Sequence, residues 1–206
     1  MILYTLLTIL LVLLGMLTFI PKYQAAINRF SIGINFFLTL IATLFGVLLA
    51  MAFANIEEEQ KEKQHVIKLM QATIAAIESS HDYSEDLYDF YLALPKEDKT
   101  RAYFFDKNPL PFPDYLNTFM RQSLVNRTLS EQTLIDLNEY KFNLQKTSDG
   151  NQPLIYLVLL KYTIEALRLE IVYQKGEKSL TELEQAIDSN DEKFNLALDI
   201  AKGSNQ

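Results

Sequence analysis

The sequence predicts an all-α protein, an N-terminal two-span transmembrane helical hairpin followed by a multi-helix bundle domain. Three observations carry that expectation. The first 55 residues hold only two charges, Lys22 and Arg29, whereas all 26 acidic residues lie beyond them. No run alternates polar and apolar residues for long enough to build a sheet. Helix punctuation, in the form of capping boxes and prolines at the edges of apolar-periodic runs, recurs through the rest of the chain.

The first element is the charge-free run 2–20. Twenty helical residues at 1.5 Å each reach roughly 30 Å, the thickness of a bilayer's hydrocarbon core. No Lys or Arg precedes the run and no small-x-small site follows it, which favours a retained span over a cleaved signal peptide. The second span is expected at 33–54, inside a stretch without charge from Phe30 to Ile56. The linker PKYQAAINR is too short for a domain, so the two spans run antiparallel and both termini share one side. Ala42, Gly46, Ala50 and Ala54 recur every four residues and form a row of small side chains, expected to pack against the first span or a second copy. Asn35, Thr39 and Thr43 read as hydrogen-bond partners between helices, and neither span carries the ionisable group that carriers and proton pathways need. Lys61, Lys63 and Lys68 after the second span against Lys22 and Arg29 in the loop are too close a balance to set the orientation. Two-span bacterial proteins commonly keep both ends in the cytoplasm, and on that ground the large domain is expected there, in a protein of the bacterial inner membrane.

Residues 56–65 are polar on every side and are expected to form a helical stalk continuous with the second span, with Glu57 to Lys61 and Glu59 to Lys63 at i,i+4. The water-soluble domain is expected over 66–206. It starts with Val66, Met70, Ile74 and Ile77 at helical spacing, and an aromatic-rich helix over 84–94 stopped by Pro95 follows. A short helix is expected over 96–105. Thr128 to Glu131 reads as a capping box opening a helix to about Lys146, and Ser179 to Glu182 as a second opening the last helix. Pro153 suits the first turn of a central helix that ends before Gly176, with 154–160 buried on all sides. Lys161, Glu165, Arg168 and Glu170 argue against that helix being a third span.

Ten of the 24 aromatic residues fall between Tyr83 and Phe119. There, alternate prolines at 109, 111 and 113 stiffen an extended crossover. Its aromatics either plug the bundle or present a partner surface made of Tyr103, Phe104, Phe105, Pro109, Pro111, Phe112, Pro113 and Tyr115.

The chemistry of the chain is sparse. Residues 56–206 carry 17 basic against 26 acidic side chains, a net charge of −9, which argues against nucleic acid as the main partner. Without cysteine there are no disulfides, thiol nucleophiles or thiolate metal sites. The sequence has no Walker loop, GxGxxG, GxSxG or HExxH motif. His65 and His81 read as solvated side chains, and the cluster Asp82, Glu85, Asp86 and Asp89 as acids favoured in a helix's first turn. No catalytic residue, cofactor, metal or small-molecule substrate is expected.

The segments GVLLAMAFANIEEEQKEK, VIKLMQATIAAIESS and NPLPFPDYL, in that order over about 35–145, resemble a broad group of uncharacterised bacterial membrane-anchored helical proteins. That resemblance implies an anchored helical domain and brings no activity or catalytic residues with it. The extra N-terminal span departs from members with one anchor. The functional expectation is a membrane-anchored sensor or effector in bacterial stress or anti-phage defence. It would act through the lipid bilayer, protein contacts and homo-oligomerisation, and the alternative is a structural tether for a partner complex.

Overall fold

The computed structural model describes residues 31–149 and 152–203, and it divides the chain into two compact units, Met1–Gln60 and Lys61–Gln206. All regular structure among the described residues is helical. The expected first span and its loop lie outside the described residues.

Helix α1 runs over Ser31–Ala93, 63 residues. No glycine or proline falls between Gly46 and Pro95, so nothing in the backbone chemistry interrupts it. The expected separate helix at 84–94 is therefore the last turns of α1. The serine hydroxyls there are satisfied within the helix: Ser80 donates to the Ala76 carbonyl (3.1 Å) and Ser84 to the Ser80 carbonyl (2.7 Å). In the first unit, α1 is long and apolar enough to cross a membrane, and no other helix is among the described residues. Ile32, Phe36, Phe37, Leu40, Leu44 and Val47 are all more than half exposed there, as are Met51 and Phe53. Leaving each such side chain in water forfeits about 2 kcal/mol, a cost that hydrocarbon surroundings remove.

In the second unit, Val66, Met70, Ile74 and Ile77 of α1 face the core and are buried, as their spacing requires. Arg101 terminates α1 from outside, its guanidinium donating to the Leu94 carbonyl at 2.5 Å. The helix expected at 96–105 divides in two. A 3-10 turn over Lys99–Tyr103 is capped by Asp98, whose carboxylate accepts from the Thr100 amide and hydroxyl, and α2 (Phe104–Lys107) follows. Those two bonds hold the Asp98 carboxyl below the usual carboxylate range. Two further short helices, α3 (Asp114–Met120) and α4 (Ser123–Thr128), complete the crossover.

Three long helices finish the domain: α5 (Glu131–Asp149), α6 (Pro153–Gln174) and α7 (Leu180–Gly203). The central one, α6, packs on both its neighbours. Pro153 sits in the first turn of α6, and Gly176 at φ 76° supplies the left-handed residue past its end. Ser179 and Glu182 form the expected capping box of α7, the serine amide donating to the Glu182 carboxylate at 2.8 Å. The run 154–160 is not buried on all sides: Tyr156, Leu159 and Leu160 are, whereas Leu154, Ile155, Leu157 and Val158 are half-buried.

The other expected capping box is replaced. Thr128 ends α4, and the residue that caps α5 is Ser130, whose hydroxyl accepts from the Thr133 amide at 3.3 Å. The carboxylate that completes the box comes from α6. Glu170, fully buried, accepts from the Ser130 amide (3.1 Å) on one oxygen, and on the other it meets the Ser130 and Thr133 hydroxyls (2.7 and 2.8 Å). Gln174 donates to Glu170 and to the Thr128 carbonyl, tying the end of α4 to the start of α5. A carboxylate at a helix N-terminus is favoured by the orphan amides and the helix dipole.

Candidate functional site

Three features compete as the functional surface, each built by a different stretch. The first is the small-residue row on α1. Ala42, Gly46, Ala50 and Ala54 are exposed, and a β-carbon added at Gly46 would meet nothing within 4 Å. The half-buried positions of this stretch, Leu38, Ile41, Phe45, Leu48, Leu49 and Ala52, occupy a different face at three- and four-residue spacing. The threonines expected to bond across helices are satisfied within α1 instead. Thr39 donates to the Asn35 carbonyl and Thr43 to the Thr39 carbonyl, both at 2.8 Å.

The second is the proline-aromatic crossover, and most of its side chains point inward. Phe104, Phe105 and Pro113 are buried; Pro111, Phe112 and Tyr115 are half-buried; Tyr103 and Pro109 remain exposed. Phe104 and Phe105 meet edge to face with ring centres 5.1 Å apart, and both pack on Tyr91 of α1. Arg101 lies over the Tyr91 ring at 4.3 Å. The buried Tyr156 hydroxyl of α6 donates to the Pro111 carbonyl, fixing the extended segment to the bundle. Burial pushes that phenol far above its ordinary range, so it remains a donor. Within the expected partner surface, Phe104, Phe105 and Pro113 are thus corrected to core residues: their apolar area is already used inside the domain. A cleft of about 530 Å³ remains beside Pro109, lined also by Tyr83 and Lys107.

The third is a groove of about 490 Å³ between α1 and α6. Its floor is apolar, made by Leu157, Val158 and Ile164. One rim is the acidic face of α1 with Glu78, Asp82 and Glu85; the other carries Lys161, Glu165 and Arg168 of α6. Arg168 bridges the walls, 2.8 Å from Glu78 and 2.6 Å from Glu165. His81 Nδ1 lies 3.6 Å from Asp82 and 3.9 Å from Glu85, and these three side chains alone among the described residues gather like metal ligands. All three come from one turn of one helix, and both acids are exposed. The polar groups are largely engaged with one another, which leaves an apolar strip between charged rims. Such a surface can seat a side chain of another protein and orient it by charge.

Sequence reading registered both rims separately, the α1 acids as a cluster and the α6 charges as interruptions of an apolar helix. What brings them together is the packing of α1 on α6, and no local pattern encodes that. Compared with known proteins, the chain matches no family model, no curated protein and no solved structure.

Proposed function

We propose that this protein is a non-enzymatic, membrane-anchored sensor or effector of a bacterial inner membrane that works through protein contacts and self-association. The observation that carries the reading is α1 itself. One helix has eight large apolar side chains more than half exposed in its first part and forms one rim of the apolar-floored groove in its later part. Exposed apolar surface of that extent calls for lipid or a partner. The open small-residue row around Gly46 supports association between copies, since backbones meet most closely where side chains are small. A structural tether is the second reading, favoured by the self-satisfied charges of the groove.

The two readings differ in what overproduction does to the bilayer. Induced expression with a membrane-potential dye should depolarise the cells for an effector whose spans assemble. An unchanged potential at equal membrane abundance would favour the tether.

A further inference from the structure

A second polar feature lies apart from the groove, where α7 rests on α5. Asp136 of α5 is 7% exposed, and its Oδ2 is buried without a hydrogen-bond partner; Oδ1 accepts from Gln132 at 3.1 Å. The charges that act on it are all negative. Asp191 and Asp188 approach from α7 and Glu139 from its own helix, and none of the four carboxylates takes part in an ion pair among the described residues. Tyr140, one turn on from Asp136, donates to Asp191 at 2.9 Å and touches Phe194 of α7 with ring centres 5.2 Å apart. From α6, Tyr162 packs on the same Phe194, and Glu170 lies one turn back at Thr133 with its oxygens already taken. An unpaired carboxylate buried among like charges is costly, and neutralising it with a proton removes the cost.

We propose that Asp136 is a proton-binding site that sets how firmly the C-terminal helix α7 is seated on α5. Protonated, Asp136 is neutral and can donate from the oxygen that otherwise lacks a partner. Ionised, it faces Asp191 and Asp188 across the seam and favours release of α7. Of the buried side chains of α7, Phe194 belongs to the central cluster while Leu183, Ile187 and Ala201 are buried outside it, and the helix packs more broadly on α6 than on α5. Burial first, then Asp191, push the Asp136 carboxyl up to about 6. Burial and the bond to Asp191 raise Tyr140 far above its ordinary range, so that donor stays protonated throughout. The sign follows from linkage. With α7 released, Asp136 regains an ordinary carboxylate pKa near 4, so release becomes more favourable as pH rises from about 4 to about 6, and changes little above 7. The inference is independent of the proposed sensor or effector role and of the groove.

The chain has no cysteine, so a single introduced thiol reports opening without background. Full-length protein in nanodiscs, carrying Ile187→Cys on the buried face of α7, would be labelled with a maleimide, and its rate divided by that of a free thiol peptide at each pH. Protection should fall roughly hundredfold in total between pH 4 and pH 7, the ratio that separates a pKa of about 6 from one near 4. Asp136→Asn should abolish the dependence and keep the thiol protected, and Asp191→Asn should shrink it. Leu183→Cys gives a second reporter on the same helix should Ile187→Cys perturb the fold. Leu116→Cys in the central cluster should stay protected throughout. Protection that is flat with pH, an unchanged profile in Asp136→Asn, or parallel loss at Leu116→Cys would each overturn the proposal.

Discussion

Glu170 shows how much one side chain can hold together when it is buried with every lone pair in use. It accepts from one amide, two hydroxyls and one carboxamide, from residues as far as 40 positions away in sequence. Removing it strands the Ser130 amide and leaves the Ser130 and Thr133 hydroxyls only each other, so Glu170→Ala should cost about 3 kcal/mol, against no more than about 1 for Glu165→Ala at the half-exposed groove rim. Urea midpoints of the two variants should differ accordingly with equal m-values; equal midpoints would mean that the Glu170 network contributes little. Residues of this kind also mark where sequence reading stops. Ser179 and Glu182 were legible as a cap because both partners lie within one turn. The α5 cap was misplaced by two residues because its carboxylate arrives from another helix, and Thr128 to Glu131 matched the pattern without making the bonds. Asp136 was not singled out, since an aspartate in a helix reads as solvated until the packing of α7 buries it.

At the scale of elements, apolar periodicity and punctuation carried most of the fold. Pro95, Pro153 and Gly176 bound helices where expected, and Val66 to Ile77 face the core. The continuity of the span with its polar stalk was legible, but not that the helix runs on through 84–93, since a stretch without glycine or proline has no local reason to stop. The apolar part of α1 makes a distinct prediction. Gly46→Leu keeps the segment hydrophobic enough to insert, so its effect reports packing rather than targeting. Cross-linking in native membranes should give a dimer or higher ladder that Gly46→Leu weakens, whereas Phe37→Leu should change it little. A ladder unaffected by Gly46→Leu would remove the small-residue row as the contact.

For the whole molecule, the sequence read correctly as all-helical, and the division between apolar and acidic stretches is visible in charge alone. The functional surface was only half visible. Both rims of the groove could be found as charges in a helix, but their facing each other depends on how α1 and α6 pack. The crossover's aromatics were legible as important, and the choice between plug and partner surface depended on burial, which assigns Phe104, Phe105 and Pro113 to the interior. The proposal of a membrane-anchored chain draws on the exposed apolar run of α1, which is long enough to cross a bilayer.

That claim rests on α1 changing surroundings along its length, and a cysteine-free chain allows it to be measured residue by residue. Single cysteines placed at exposed positions 36, 40, 44, 47, 51, 59 and 68 would be probed in native membranes with a membrane-impermeant maleimide, before and after the bilayer is dissolved. Positions 36 to 51 should react only after solubilisation, and 59 and 68 should react whenever the reagent reaches their side of the membrane. Free labelling at 40, 44 and 47 in intact membranes opened to both sides would contradict a transmembrane α1, and with it the anchored role.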